Sequence, residues 1–500
     1  MKNKIFIYLL FLLLTACSGA MKNREMTADI LVNLHKQNID KALSIATDED
    51  YYSEKNSQLL KNLEIATLHY RNGNYYQSLK YFEKAKKISD DLYTVSISKK
   101  LAGTWDANLD NYYGEKYERS AIRFYLSLIN YNLYKQGYYE EYTDENGVFV
   151  PKKELTNNEK KFHLTYARSA IIEWDSFLKT MQNETAGISI FKNDMLAKLW
   201  GAFIHSEYNT SVDNQISLQL YKDADELLLR NYNMYPIFNN KSDKFNDDFK
   251  KLPTKSLQQL YKTYIDETDY SKDLKEYIAR NKKNLQKNKK DNLFIVLKDS
   301  VIAPKVAAPL YIPLPIASFS ANIYDFAVSV LYASDGRVPN ILIEVPLILE
   351  NPNINKYVAR VFNNNGEEVA STNLTLVQPM SNIAKKTLSD ELAAIQTAII
   401  ARVTSKYVAA IISAYAAYDP ESPLTAVAAK AIFIAGATVA NETSRADIRY
   451  WSTLFSNAQF GGMQLANGKY KLKIYNGNKV IYAKDITIKN NETAFIDINI

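Results

Sequence analysis

The sequence predicts an α+β protein. A helical array spans residues 26–285, and a mixed domain over 293–500 combines antiparallel β-sheet with a long helical hairpin at 388–440. Three observations carry this. Breakers are few, 15 Gly and 13 Pro in 500 residues, which leaves long stretches free to stay helical. Apolar residues before 285 recur at helical spacing. From Leu293 onward, short β-rich runs alternate with turn signals. A content of 47% hydrophobic and 23% charged residues is that of a globular chain, not a disordered one. The formal charge of +6 is too even a balance to favour nucleic acid as a partner.

The first 17 residues have the parts of an export signal. Lys2 and Lys4 form a positive end, and Ile5 to Leu14 form an apolar run of ten residues, too short for a permanent span. Leu14-Thr15-Ala16-Cys17 follows and resembles the bacterial lipobox. That resemblance implies cleavage before Cys17, a thioether-linked diacylglycerol on its sulfur and acylation of the new amine. Ser18 at the next position implies sorting to the outer membrane, with residues 18–25 as a tether. Two or three acyl chains hold a protein stably where one does so only reversibly. The chain has no other cysteine, so neither an internal disulfide nor a Cys-based metal site can form.

The clearest helical unit is Asn62 to Lys86, with Ile65, Ala66, His69, Tyr70, Gly73, Tyr75, Ser78, Phe82 and Ala85. Gly73 permits a tight turn, Ala66 and Ala85 allow close helix approach, and Tyr75 and Phe82 fill the space around them. These spacings resemble a tetratricopeptide repeat (TPR). Leu126, Ile129, Gly137 and Tyr139 repeat the pattern, interrupted by a polar insertion at Thr143 to Asn158 before a helix from Lys160 to Met181. A third unit pairs Met195–His205 with Ile216–Leu229, where Ser217, Tyr221 and Ala224 repeat Ser78, Phe82 and Ala85. The three units predict a TPR-like α-solenoid or a helical bundle; stacked helix pairs present a concave surface suited to peptides or proteins, the other reading being an array that only builds shape.

Asp269 to Asn292 is basic and reads as a linker, through Lys272, Lys275, Arg280, Lys282, Lys283, Lys287, Lys289 and Lys290. Strands are then expected at Leu293–Leu297, Phe326–Tyr332, Asn340–Leu349, Tyr357–Phe362 and Glu367–Val377. Pro304–Pro315 reads as an extended crossing segment, because proline is excluded from central strands. The last 32 residues predict an antiparallel meander. Tyr470, Leu472 and Ile474 alternate with lysines, Asn476-Gly477 makes a turn, and Ile486, Ile488, Ile496, Ile498 and Ile500 continue the alternation.

Between these regions, Thr387 with Asp390 reads as a capping box opening a helix with an apolar stripe of Leu388, Leu392, Ile395, Ile399 and Val403. Pro420 and Pro423 end it, and Leu424–Ala440 forms a second helix whose one charge is Lys430. Its 17 residues are at the short limit of a span, and Lys430 would cost about 2.5–3.5 kcal/mol on insertion. Its alanines suit close packing, so the expectation is a buried core helix, with membrane insertion as the rival reading.

Arg402, Lys406 and Tyr407, the run from Ala446 to Leu454, then Leu465 and Gly468-Lys469-Tyr470 together resemble an uncharacterised family of bacterial envelope lipoproteins with TPR-like N-terminal helices and a C-terminal α/β domain. The resemblance covers most of the mature chain loosely and 390–475 more closely. Tyr450 stands where the family has a small polar residue, and 304–315 departs from its usual acidic-and-basic stretch. The family has no established activity, and its gene neighbours imply a role in envelope assembly.

Asp447, Arg449 and Trp451 put an ion pair two apart beside an aromatic; they read first as a structural ion pair next to a core aromatic and second as a binding site whose ring stacks on a ligand, with Arg402 and Lys406 as further candidates. Histidines 35, 69, 163 and 205 lack metal-binding spacing, and neither a Gly-x-Ser-x-Gly elbow nor a phosphate-binding glycine loop occurs. The expectation is a non-enzymatic scaffold without cofactor or metal. It would be held to the outer membrane through lipid on Cys17 and bind an envelope protein or peptide. The alternatives are a membrane-active or secretion-accessory protein using 388–440, and a cell-wall-acting enzyme.

Overall fold

A computed structural model describes residues 22–101, 110–144, 147–184, 194–230, 292–313, 319–331, 340–349, 354–442, 445–490 and 492–500. Cys17, Ser18 and the basic segment up to residue 291 lie outside the described residues. The fold is mixed α+β. Helix α1 covers 22–35, followed by α2 (Ile39–Ala46), α3 (Gln58–Arg71), α4 (Tyr75–Leu101), α5 (Lys116–Gln136), α6 (Asn157–Glu184), α7 (Met195–Tyr208) and α8 (Ser211–Arg230). Helix α3 packs on α4, α5 on α6, and α7 on α8. Gly73 and Gly137 follow α3 and α5 at φ of +79°, a conformation that glycine adopts without a Cβ penalty. Ala66, Phe82 and Ala85 are fully buried. The polar insertion folds as two short ribbons, β1 (Tyr138–Tyr139) with β4 (Lys153–Glu154) and β2 (Tyr142–Thr143) with β3 (Phe149–Val150).

The C-terminal strands are β5 (Leu293–Val301), β6 (Lys305–Pro313), β7 (Asn340–Ile348), β8 (Tyr357–Phe362), β9 (Glu368–Asn373), β10 (Thr375–Gln378), β11 (Phe455–Met463), β12 (Gly468–Asn476), β13 (Lys479–Ile488) and β14 (Ala494–Asn499). One sheet has the order β10-β11-β5-β14 and a second the order β13-β12-β8-β9. Leu293, Ile295 and Leu297 of β5, with Ile496 and Ile498 of β14, meet Ala359, Val361, Leu472, Ile474 and Ile486 of the second sheet in one apolar layer. The other face of the first sheet enters a core shared with the helices: Val296, Phe460 and Leu376 cluster with Tyr125, Trp200 and Trp451. Strand β5 is therefore buried on both faces, which explains its nearly unbroken apolar run.

A third apolar cluster lies apart. Strands β6 and β7 form a two-stranded ribbon that packs on α10 (Met380–Ala416) and on α9 (Ala321–Phe326), which continues as a π-helical turn to Leu331. Helix α11 (Pro423–Glu442) packs on α10. Pro309 and Pro346 stand in the ribbon, where proline blocks further strand pairing without breaking a central ladder.

Several expectations are corrected. The strand expected at Phe326–Tyr332 is helical up to Leu331, because Phe326, Ala327 and Leu331 pack toward α10, and Phe326 meets Tyr415 and Tyr418. Tyr332 is outside the described residues. Thr387 and Asp390 do not cap a helix. Helix α10 begins after Pro379, Thr387 donates to the Ile383 carbonyl at 2.8 Å, and Asp390 pairs with Lys386. The run Glu367–Val377 splits at Leu374 into strands of different sheets. The terminal meander ends at β13, and β14 crosses to lie parallel to β5. Both faces of β14 are wanted there: Ile496 and Ile498 enter the inter-sheet layer while Phe495 meets Tyr131, Trp200 and Phe203. Finally, α11 is not a buried core helix. Leu424, Val427 and Ile434 are 82%, 68% and 61% exposed.

Candidate functional site

Three of the five candidate residues of the C-terminal half lie on one segment, 445–454, which threads between α11 and β11 and docks on the helices. Arg449 forms a two-pronged pair with Asp447, Nε to Oδ1 at 3.0 Å and Nη2 to Oδ2 at 2.9 Å. Its Nη1 also donates to the carbonyls of Asn56 (3.3 Å) and Asp110 (3.1 Å). Burial acts to raise the Asp447 carboxyl, but the Arg449 charge and hydrogen bonds outweigh it and hold it at about 2. Trp451 is completely buried. Its indole N–H donates to Thr67 Oγ1 at 2.9 Å, and its ring packs against Phe82 and Tyr125. With no exposed face, the ring fastens the segment rather than stacking on a ligand. Arg402 and Lys406 are elsewhere, on α10 beside Val403 and Tyr407.

Two buried carboxylates missing from the sequence expectation complete this seam. Glu64 of α3 accepts the backbone N–H of Ser452 (2.7 Å), its hydroxyl (2.8 Å) and the N–H of Thr453 (3.2 Å). Glu118 of α5 accepts the N–H of Trp451 (2.7 Å), the N–H of Glu115 (2.9 Å) and the Tyr112 hydroxyl (2.5 Å). Burial pushes Glu118 up to about 7 and raises Glu64, against these hydrogen bonds. The carboxylates thus serve as acceptors for a stretch of backbone that has no sheet partner. A sequence signal existed for Glu64: it stands on the buried stripe of Leu60 and Leu68, four residues to either side.

A second buried polar group lies where the helices meet β5 and β14. Lys298 is fully buried and pairs with Asp497 on the adjoining strand. Asp497 also accepts from the Tyr70 hydroxyl and from Asn132 Nδ2, the latter at 2.9 Å. The histidines have separate roles. His163 bonds Tyr139 and Asn130, and His205 bonds Asp213. Among the described residues, no three His, Asp or Glu side chains gather in a metal-binding group.

Among the described residues, apolar side chains are exposed at several places. One is the start of α6, where Phe162 and Tyr166 are exposed, and Phe149 of the polar insertion is exposed as well. Phe162 and Tyr166 touch, with ring centroids 4.3 Å apart. Nearby, Tyr76 stacks on Tyr139 at 4.0 Å, and Lys80 lies 4.9 Å from the Tyr76 ring and 4.4 Å from the Tyr142 ring. Another is the outward face of α11; α10 and α11 are both long and apolar enough by length and composition to cross a membrane. No family model matches this sequence, and neither a curated protein nor a solved structure matches it.

Proposed function

We propose that this chain is a bacterial envelope lipoprotein, anchored through Cys17 and sorted by Ser18 to the periplasmic face of the outer membrane, where it acts as a non-enzymatic scaffold for another envelope protein. In this reading α3 to α8 are a TPR-like array, 388–440 is a helical hairpin, and the chain is a relative of the uncharacterised lipoprotein family it resembles. The buried residues Asp447, Arg449 and Trp451 act as a clamp within the scaffold.

The observation that carries docking is the exposed aromatic pair Phe162 and Tyr166 on α6. Aromatic side chains are the commonest anchors of protein interfaces and are poorly solvated when left exposed. Covering the exposed part of Phe162 alone would contribute about 2 kcal/mol. Lys80 over the Tyr76 and Tyr142 rings adds a positive charge near them that fits an acidic partner surface.

The test is a photoreactive amino acid placed at Phe162, at Tyr166 and at Thr180, an exposed control on the same helix, in intact cells. A discrete crosslinked product at 162 and 166 that is absent at 180 is the expected result. No product, or one product at all three positions, would remove the docking assignment. Labelled palmitate entering the wild-type chain and not the Cys17→Ala variant tests the anchor separately.

A further inference from the structure

The outward face of α11 has chemistry and position that select one occupant. The two helices meet closely, since a Cβ on Gly436 would lie 2.6 Å from that of Ala410, and Ala429, Phe433 and Ala440 fill the contact. The opposite side of α11 shows Leu424, Val427, Ile434 and Val439 to solvent, with exposed alanines between them. Lys430 is the one charge from Leu424 to Asn441. At 1.5 Å per residue, this 20-residue helix is about 30 Å long.

The position follows from the contacts at the root of the pair. Glu391 of α10 pairs with Lys116 at the start of α5 (3.1 Å), and Lys305 at the start of β6 pairs with Glu115 (2.8 Å). Arg449, just after α11, reaches the Asn56 carbonyl. The first helix begins at this same end of the body. Asn23 of α1 accepts the Tyr52 N–H at 2.8 Å, and Gln58 ties the Tyr52 and Glu54 carbonyls together next to Asn56. Lys22 is five residues from Cys17, so the Cα atoms of the two lie at most about 18 Å apart. The helix pair therefore leaves the body where the lipid would enter the membrane.

We propose that the outward face of α11 rests in the headgroup and upper acyl region of the bilayer that holds the Cys17 lipid, lying in its plane rather than crossing it. This assignment rests on the lipid-anchor reading. The in-plane orientation follows from the turn between the helices. Asp419 and Glu421 are both exposed there and would have to traverse the hydrocarbon in a spanning arrangement, whereas an interfacial helix leaves them wet. Lys430 reaches the headgroups along its own aliphatic stem. The anchor and the helix face then act as two membrane signals on one body, fixing its orientation as well as its location.

The experiment uses the mature full-length chain in phosphatidylethanolamine–phosphatidylglycerol vesicles, with an environment-sensitive fluorescent amino acid at Val427, Ile434 or the control Thr180. Mass spectrometry of the N-terminal peptide reads acylation independently. The expected result is a blue shift at 427 and 434, with most of the emission lost to nitroxide lipids labelled near the headgroup and little lost at 180. An acylated chain whose 427 and 434 probes escape quenching would overturn the assignment while leaving the anchor intact. A blue shift without vesicles that grows with protein concentration would also overturn it, in favour of a second copy. Stronger quenching by nitroxides deep in the acyl chain would overturn the in-plane orientation. An unmodified N-terminus with quenched probes would instead remove the anchor and keep the bilayer as occupant.

Discussion

Replacing Trp451 with alanine tests whether the helices and the first sheet behave as one folding unit. Trp451 is completely buried and touches Phe82 of α4 and Tyr125 of α5, while its N–H bonds Thr67 of α3. Truncating a buried tryptophan costs about 3–5 kcal/mol through lost transfer energy and the cavity left behind. The upper part of that range is expected here. The neighbours are rings held by their own contacts, including the Phe82–Tyr125 stack at 4.9 Å, and cannot collapse into the space. The assay is urea unfolding followed by far-ultraviolet circular dichroism and by tryptophan fluorescence, which in the variant comes from Trp105, Trp174 and Trp200, all in the N-terminal half of the chain. Both signals should move to lower urea together, because the core containing Trp451 also contains Trp174, Trp200, Val296 and Phe460. A loss below about 1 kcal/mol, or a fluorescence transition left at its wild-type midpoint, would refute the coupling.

Two further perturbations probe the buried charges. Burial raises the Glu118 carboxyl to about 7 in the folded chain, above its unfolded value of 4.5, so the folded state holds the proton more tightly. Its contribution to stability is greatest below pH 4.5 and falls as pH rises to about 7, by about 3 kcal/mol; Glu118→Gln should flatten that part of a stability-against-pH curve, and an unchanged slope would dismiss the assignment. Lys298→Met leaves the Asp497 carboxylate buried without its cation and should cost about 3–5 kcal/mol in chemical denaturation, much of it recovered when Asp497→Leu is added. Equal losses in the single and double variants would mean that the pair contributes through packing alone.

The seam also shows why the candidate residues and their structural role were legible in sequence while their partners were not. Asp447, Arg449 and Trp451 are conspicuous residue types in close succession, and the ion pair forms as expected. What they touch is decided by Asn56, Thr67, Asp110 and Glu118, more than 300 residues earlier in the chain. An exposed ion pair beside an aromatic and a buried clamp have the same local sequence.

Local chemistry in the sequence determined most elements by itself. Gly73 and Gly137 close their helices at positive φ, Asn363 to Gly366 turns between β8 and β9, and alternating lysines mark one face of β12. These depend on neighbours a few residues away, whose energetics are written in order along the chain. Tertiary structure alone decided where β14 pairs, why 326–331 is helical, and which apolar helix stays uncovered. Each of those outcomes depends on surface supplied by distant segments: Trp200 and Phe203 beside Phe495, Tyr415 and Tyr418 against Phe326, and the single face of α10 available to α11. Burial is a property of pairs of surfaces, and a linear pattern specifies only one member of each pair.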